Sequence, residues 1–345
     1  MDMLYLASDY QEAAHPAILQ RLADEALNSY PGYGMDALCE AAREKIRAAC
    51  ACPAAEIQFL VGGTQANLVM IDALLQPWQG VVAADTGHIS VHEAGAIENC
   101  GHKVFTLPNT DGKLHPEQLA ALLEAYESDD NRAHMVEPGL VYLSQPTEFG
   151  TLYSKSELET ISTLCHRHGS GLYVDGARLA YALACAENEV SLADLARLCD
   201  AFYIGGTKCG ALFGEAVVIP NPEKVSHLFT RIKQHGALLA KGWLLGLQFD
   251  TLFTDDLYCQ LGKPAIEAAN RLRRELPGLG FPLALENPTN QVFCVVEDQK
   301  LADLHEKVVY SFWEKWDATH TVIRFAPSWF TTPEHIDRLL TILKE

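Results

Sequence analysis

Two short apolar runs, each releasing a charged side chain as it ends, constrain this chain more than any other feature. Leu172-Tyr173-Val174 leads into Asp175-Gly176-Ala177-Arg178, and Phe202-Tyr203-Ile204 leads into Gly205-Gly206-Thr207-Lys208. Each run has the length of a buried strand and gives way to glycine and charge, so a carboxylate and an amine emerge at strand ends. In an open α/β sheet the carboxyl ends of the strands are where ligands bind.

The rest of the chain supplies such a sheet. Further apolar runs at 57–61, 81–84, 103–107, 140–144 and 215–219 read as strands, and helical spacing recurs at 37–50, from 63 to 75, at 115–126 and at 156–169. This alternation predicts an α/β fold of three layers, built on a doubly wound and mostly parallel sheet. From Trp243 a helical region leads to a smaller α+β unit with strands near 291–296 and 321–325. The chain therefore divides into a large domain with an N-terminal arm, 1–242, and a small C-terminal domain, 243–345. At 345 residues and 48% hydrophobic, it is long enough to build both cores.

Composition removes several classes of function. A net charge of -19 works against a nucleic-acid or anionic-membrane surface. No apolar stretch is long and uncharged enough to span a bilayer. The ten cysteines are scattered without Cys-x-x-Cys spacing and no signal peptide precedes them, which points to reduced thiols in a cytoplasm. The thirteen histidines include no His-Glu-x-x-His, so no metal site is expected.

The strand ends carry a particular chemistry. A lysine behind a short glycine-rich turn can bond to an aldehyde, and a nearby aspartate can keep a ring nitrogen protonated; pyridoxal phosphate needs both. Gly62-Gly63-Thr64-Gln65 turns strand 57–61 into a helix, where glycine admits a close ligand and free N–H groups favour a phosphate. Neither the dinucleotide Gly-x-Gly-x-x-Gly pattern nor a P-loop lysine is present there. Strand 81–84 delivers His88, whose imidazole can relay protons. Arg324 is a charge inside Val322-Ile323-Arg324-Phe325; buried arginines are paired, and the fork fits a carboxylate, either a ligand's or an internal one.

Tyr173-Val174-Asp175-Gly176-Ala177-Arg178 followed by Gly205-Gly206-Thr207-Lys208 resembles the fold-type-I pyridoxal-phosphate enzymes, most of all the L-threonine aldolases and β-eliminating lyases. Gly63-Thr64-Gln65-Ala66-Asn67-Leu68 is similar to that family's phosphate cup. His88-Ile89-Ser90-Val91-His92-Glu93-Ala94-Gly95 is similar to its His-x-x-x-x-Glu-Ala-Gly run. The resemblance extends from Ser8 to Arg324 and implies a large domain like that of aspartate aminotransferase. It implies that Lys208 carries the cofactor, Asp175 meets the ring nitrogen, His88 stacks on the ring, and Gly63, Thr64 and Gln65 hold the phosphate. Ser8, Arg178 and Arg324 would take the substrate carboxylate, with Arg178 alternatively facing the ring's phenolic oxygen. Tyr33 falls on a loop that lies near the subunit interface in the family, which implies a homodimer or homotetramer with shared sites. Lys233 and Lys241 stand where the aldolases have a Gly-rich segment with an arginine, and read most simply as solvated lysines.

One segment departs from the relatives. Better-known threonine aldolases read Glu-Asn-Thr-His-Asn-Gly where this chain has Gln145-Pro146-Thr147-Glu148-Phe149-Gly150. Glu148 thus stands in place of a histidine near the substrate hydroxyl. A carboxylate can accept a hydroxyl proton, particularly when burial raises its pKa. The resemblance implies a lyase that cleaves a β-hydroxy-α-amino acid such as L-threonine or L-allo-threonine to glycine and an aldehyde, with Lys208, His88 and Glu148 as catalytic residues. A β-eliminating lyase on the same cofactor is the alternative, and a non-catalytic pyridoxal-phosphate-binding protein is the third reading.

Overall fold

The computed structural model describes residues 3–345. Its central sheet has seven strands in the order Glu56–Leu60, Glu215–Ile219, Ala201–Gly205, Gly171–Asp175, Glu137–Ser144, Gln79–Ala84, Val104–Leu107. From Ala201–Gly205 to Val104–Leu107 every neighbouring pair runs parallel. Strand pleating sends successive side chains to opposite faces: Leu140 and Tyr142 pack with Val81 and Ala83, whereas Val141 and Leu143 pack with Val82 and Ala84 on the other side. Both faces are covered, which is why these strands read as continuous apolar runs rather than alternating ones. Helix Gly63–Leu74 covers the first face through Val69 and Met70. Helices Ala37–Ala49 and Lys155–Arg167 cover the second through Ile46 and Ile161. The result is the expected three-layer, mostly parallel α/β architecture.

The strand Glu215–Ile219 runs against both of its neighbours. Only residues 206–214 join it to Ala201–Gly205. A parallel return needs a crossover of about a dozen residues or more, so a short connection reverses the chain. Lys208 lies in that connection.

The C-terminal unit holds an antiparallel sheet of three strands, with His320–Phe325 between Ser311–Lys315 and Val292–Glu297. Ser311–Lys315 was not expected from the sequence; it is largely exposed and lacks a buried apolar alternation. Ile323 and Phe325 enter a core with Leu272 and Leu339, and Leu4 and Leu6 of the N-terminal arm join the same core. Leu4–Tyr5 pairs in parallel with Val308–Val309, which stitches the arm to this unit. Alternation then places Arg324 on the face opposite Ile323 and Phe325, with its guanidinium carbon 5.7 Å from the Trp313 ring centroid. No helix among the described residues is long and apolar enough to cross a membrane.

Candidate active site

The ends of Glu137–Ser144, Gly171–Asp175 and Ala201–Gly205 meet two adjoining cavities of about 140 and 450 Å³. Gly63, Thr64, Asp175 and Tyr203 line the smaller; Tyr10, His92, Trp313 and Arg324 line the larger. His88, Glu148, Arg178 and Lys208 line both and so stand at their junction. Hollows elsewhere, around Trp316 and His320 and around Lys300 and Leu343, lie on the C-terminal unit away from the strand ends.

Asp175 ends its strand with both carboxylate oxygens engaged. Oδ2 accepts from the Tyr142 hydroxyl at 2.7 Å and Asn67 Nδ2 at 3.1 Å; Oδ1 accepts from the Tyr203 hydroxyl and from the Ala177 N–H at 3.0 Å. Burial favours its neutral form, but the charge of His88 and the hydrogen bonds from Tyr203, Tyr142 and the Ala177 N–H outweigh it. The carboxyl is held below its ordinary range. A fixed buried carboxylate of this kind can keep a ring nitrogen cationic.

His88 opens a short helix, His88–Val91, just beyond strand Gln79–Ala84. Its Nδ1 lies 2.6 Å from Glu93 Oε1, and its backbone N–H donates to Glu148 Oε1 at 2.9 Å. Burial lowers the imidazole pKa, yet the Glu93 hydrogen bond and the charges of Asp175 and Glu93 carry it above the ordinary value. Glu148 Oε1 also accepts from Ser144 Oγ at 2.6 Å. Burial pushes the Glu148 carboxyl upward and Asp175 adds to this, while the Ser144 hydrogen bond and the charge of His88 partly offset it.

The two arginines are held differently. Arg178 forms a two-point pair with Asp9, Nε to Oδ2 at 2.7 Å and Nη2 to Oδ1 at 3.0 Å. Arg324 donates to Gln291 Oε1 at 2.8 Å, and to the Ala7 carbonyl and Ser311 Oγ at 3.2 Å each. Among the described residues no carboxylate pairs with Arg324, and its Nε is buried without a partner. Burial, and the nearby charge of Arg178, lower its pKa to about 10, which still leaves it cationic at neutral pH.

Helix Gly63–Leu74 begins at Gly62 with no side chain capping it, and Gly63 and Thr64 line the smaller cavity. A Cβ at Gly63 would sit 2.9 Å from the Tyr203 hydroxyl, so only glycine lets this helix start approach Asp175's partner so closely. Gln65 does not line either cavity: its Oε1 accepts from the Val61 N–H at 3.1 Å and closes the strand-to-helix turn instead. Ser8 also lies outside both linings, one residue before the buried Asp9. Lys233 sits over the Tyr33 ring, 4.6 Å from its centroid, away from both cavities.

Sequence reasoning passed over Asp9, Asn67, Glu93, Tyr142 and Tyr203. Asn67 and Glu93 stood inside the quoted motifs, and a polar residue one helical turn beyond Gly63 on an otherwise apolar face was the available signal. The tyrosines read as ordinary strand residues, and only their partners reveal their role. His92, four residues beyond His88, has its ring 5.6 Å from that of His88 and lines the larger cavity.

An uncapped helix start for an anion, an ionised buried carboxylate, an imidazole and a lysine thus line one cavity. This donor set fits pyridoxal phosphate and, with the parallel sheet, defines a fold-type-I enzyme of that cofactor. The beta-eliminating lyase family profile matches residues 6–299. The low-specificity L-threonine aldolase of Pseudomonas aeruginosa is 31% identical over 293 residues, covering 82% of this chain and 81% of that protein. The solved Leishmania major threonine aldolase superimposes with a TM-score of 0.95 at 42% identity, over 99% of this chain and 98% of the other. Histidinol-phosphate aminotransferase from Clostridium acetobutylicum shares the fold, with a TM-score of 0.75 at 15% identity over 99% and 98% of the two chains. The chain belongs to the beta-eliminating lyase family and is a pyridoxal-phosphate-dependent lyase.

Proposed function

We propose that this lyase cleaves the Cα–Cβ bond of a β-hydroxy-α-amino acid, releasing glycine and an aldehyde. The observation that carries this reading is the arrangement around the junction of the cavities. Arg324, a cation without a carboxylate partner among the described residues, shares the larger cavity with Lys208, His88 and Glu148, which also line the smaller one. The relatives named as threonine aldolases support the same chemistry.

Lys208 would hold the cofactor covalently, Asp175 its ring nitrogen, His88 one ring face, and the N–H groups at Gly63 and Thr64 its phosphate. Bound there, pyridoxal phosphate supplies an electron sink for the breaking bond. Asp175, kept ionised, retains a proton on the ring nitrogen. Arg324 takes the substrate carboxylate, with Arg178 beside it and Ser8 carried in this group on the family resemblance. Fixing the carboxylate fixes which bond at Cα is aligned for cleavage. Glu148, its pKa raised by burial, accepts the proton of the β-hydroxyl, and His88 stands ready to relay it.

Turnover of L-threonine and L-allo-threonine by the purified holoenzyme tests the reading. Equimolar glycine and aldehyde are expected; a 2-oxo acid with ammonia would replace it with β-elimination. We further propose a homodimer or homotetramer, supported by the exposure of Tyr33 and Met35 on the loop before helix Ala37–Ala49, and checked by light scattering. The ten free thiols support a reducing, cytoplasmic setting.

A further inference from the structure

We infer that Glu93 is a positioning residue for His88: it holds the imidazole with a proton on Nδ1 and so reserves Nε2 for the ligand side of the site. This deepens the reading of His88 given above and rests on it.

The Glu93 side chain is fully buried, 0% exposed, and its Oε1 lies 2.6 Å from His88 Nδ1. The same oxygen accepts from Asn67 Nδ2 at 2.7 Å, and Asn67 Nδ2 also donates to Asp175 Oδ2 at 3.1 Å. An amide nitrogen shared between two carboxylates fixes the orientation of Asn67, because a flip would set its oxygen against both. An ionised carboxylate only accepts, so the hydrogen in the short contact belongs to Nδ1. In the neutral ring the lone pair is then on Nε2. His88 lines both cavities, so the nitrogen that Glu93 does not engage is the one left for a ligand.

Glu93 is costly to keep. Its Oε2 is buried without a hydrogen-bond partner, and leaving a buried carboxylate oxygen unsatisfied opposes folding. A purely structural contact would be served better by an apolar side chain of the same size. The charged groups facing His88 are Glu93 from its own segment, Asp175 from the central sheet, Lys208 from the reversing connection, Glu148 from the loop after Glu137–Ser144, and the adjacent His92. Glu93 and Asp175 favour the imidazolium and Lys208 opposes it. Glu93 therefore also governs the pH at which Nε2 becomes free to accept a proton.

The test is nitrogen-15 magnetic resonance of the full-length holoenzyme labelled at histidine, with His88 assigned by the signals lost in His88→Asn. Above its titration midpoint, wild type should show a neutral ring protonated at Nδ1. Glu93→Gln keeps an acceptor oxygen without charge, so the same tautomer should persist with a lower titration midpoint. Glu93→Ala should lose both the tautomer preference and the raised midpoint, with kcat down about 100-fold, KM nearly unchanged and the cofactor absorbance unmoved. An unchanged His88 tautomer and midpoint in both variants would overturn the inference. Turnover of His88→Asn decides separately whether His88 acts in the reaction, since the resonance signals of the Glu93 variants do not depend on it.

Discussion

Arg178, which lines both cavities, and the buried Asp9, 169 positions apart, are locked in a bidentate ion pair. Burial would raise the Asp9 pKa, but the charges of Arg178 and Lys208 and hydrogen bonds from Arg178 and Asn290 hold it below the ordinary value. Asp9 also accepts from Asn290 Nδ2 at 2.9 Å. One carboxylate thereby ties the N-terminal arm, the C-terminal unit and a strand end of the large sheet together. Its second effect is electrostatic: Arg178 is neutralised in place, whereas Arg324 has no carboxylate partner among the described residues.

Arg324→Ala should therefore raise KM about 10- to 100-fold, the loss of a charge-assisted hydrogen-bonding pair with the substrate carboxylate. The cofactor absorbance should not move, because Arg324 lines only the larger cavity. Steady-state kinetics on the holoenzyme check this, and an unchanged KM would make Arg324 only a structural tie to Gln291, Ala7 and Ser311.

Lys208→Ala should abolish the covalent attachment of the cofactor. Borohydride reduction followed by mass spectrometry should add the cofactor's mass to wild type and not to the variant, with turnover reduced at least about 100-fold. Attachment that survives the substitution would move the anchor to another lysine.

How far the sequence foretold this site follows from where each residue's partners lie. Lys208 and Asp175 were legible because strands buried on both faces print as unbroken apolar runs, and the charge that follows marks the sheet's working edge. Arg324 was legible as a charge inside such a run. Asp9 was not, because its meaning lies entirely in a partner 169 positions away. Gln65 looked like a phosphate ligand by position, but the strand-to-helix turn has an N–H at Val61 to satisfy and the amide oxygen is used there. The reversed direction of Glu215–Ile219 was readable from the short connection before it. The buried Glu215 was not, since at the head of Ala216-Val217-Val218-Ile219 it passes for a polar strand end.

Glu215 gives a pH-dependent stability test. Its Oε1 accepts from Thr207 Oγ1 at 2.9 Å, its Oε2 is buried without a partner, and burial pushes the carboxyl from 4.5 up to about 8. The folded state thus binds this proton more tightly than the unfolded chain does. The stabilisation is complete below pH 4.5 and fades as pH rises through about 8. Glu215→Gln cannot ionise, so it should gain on wild type across that window by on the order of a few kcal/mol. Denaturant midpoints at about pH 5 and about pH 9 measure the change. A difference that is constant with pH would place the proton elsewhere.

Glu148 links stability and turnover through one proton. Burial raises its carboxyl above the ordinary range, so in the fold it resists ionisation. As a base it must be ionised, and kcat should climb as pH rises through that elevated value. Glu148→Gln keeps an oxygen for the His88 N–H and the Ser144 hydroxyl but cannot accept the β-hydroxyl proton; kcat should fall about 100-fold with KM nearly unchanged. The stability effect has the opposite sign. A raised carboxyl pKa contributes stability that is complete below its unfolded value and is lost at higher pH, so the variant should melt above wild type near neutrality and match it in acid. A gain in Tm beside a loss in kcat, both growing with pH, identifies a buried base held ionised at a cost to the fold. Full turnover with an unaltered pH profile would instead assign the proton to His88.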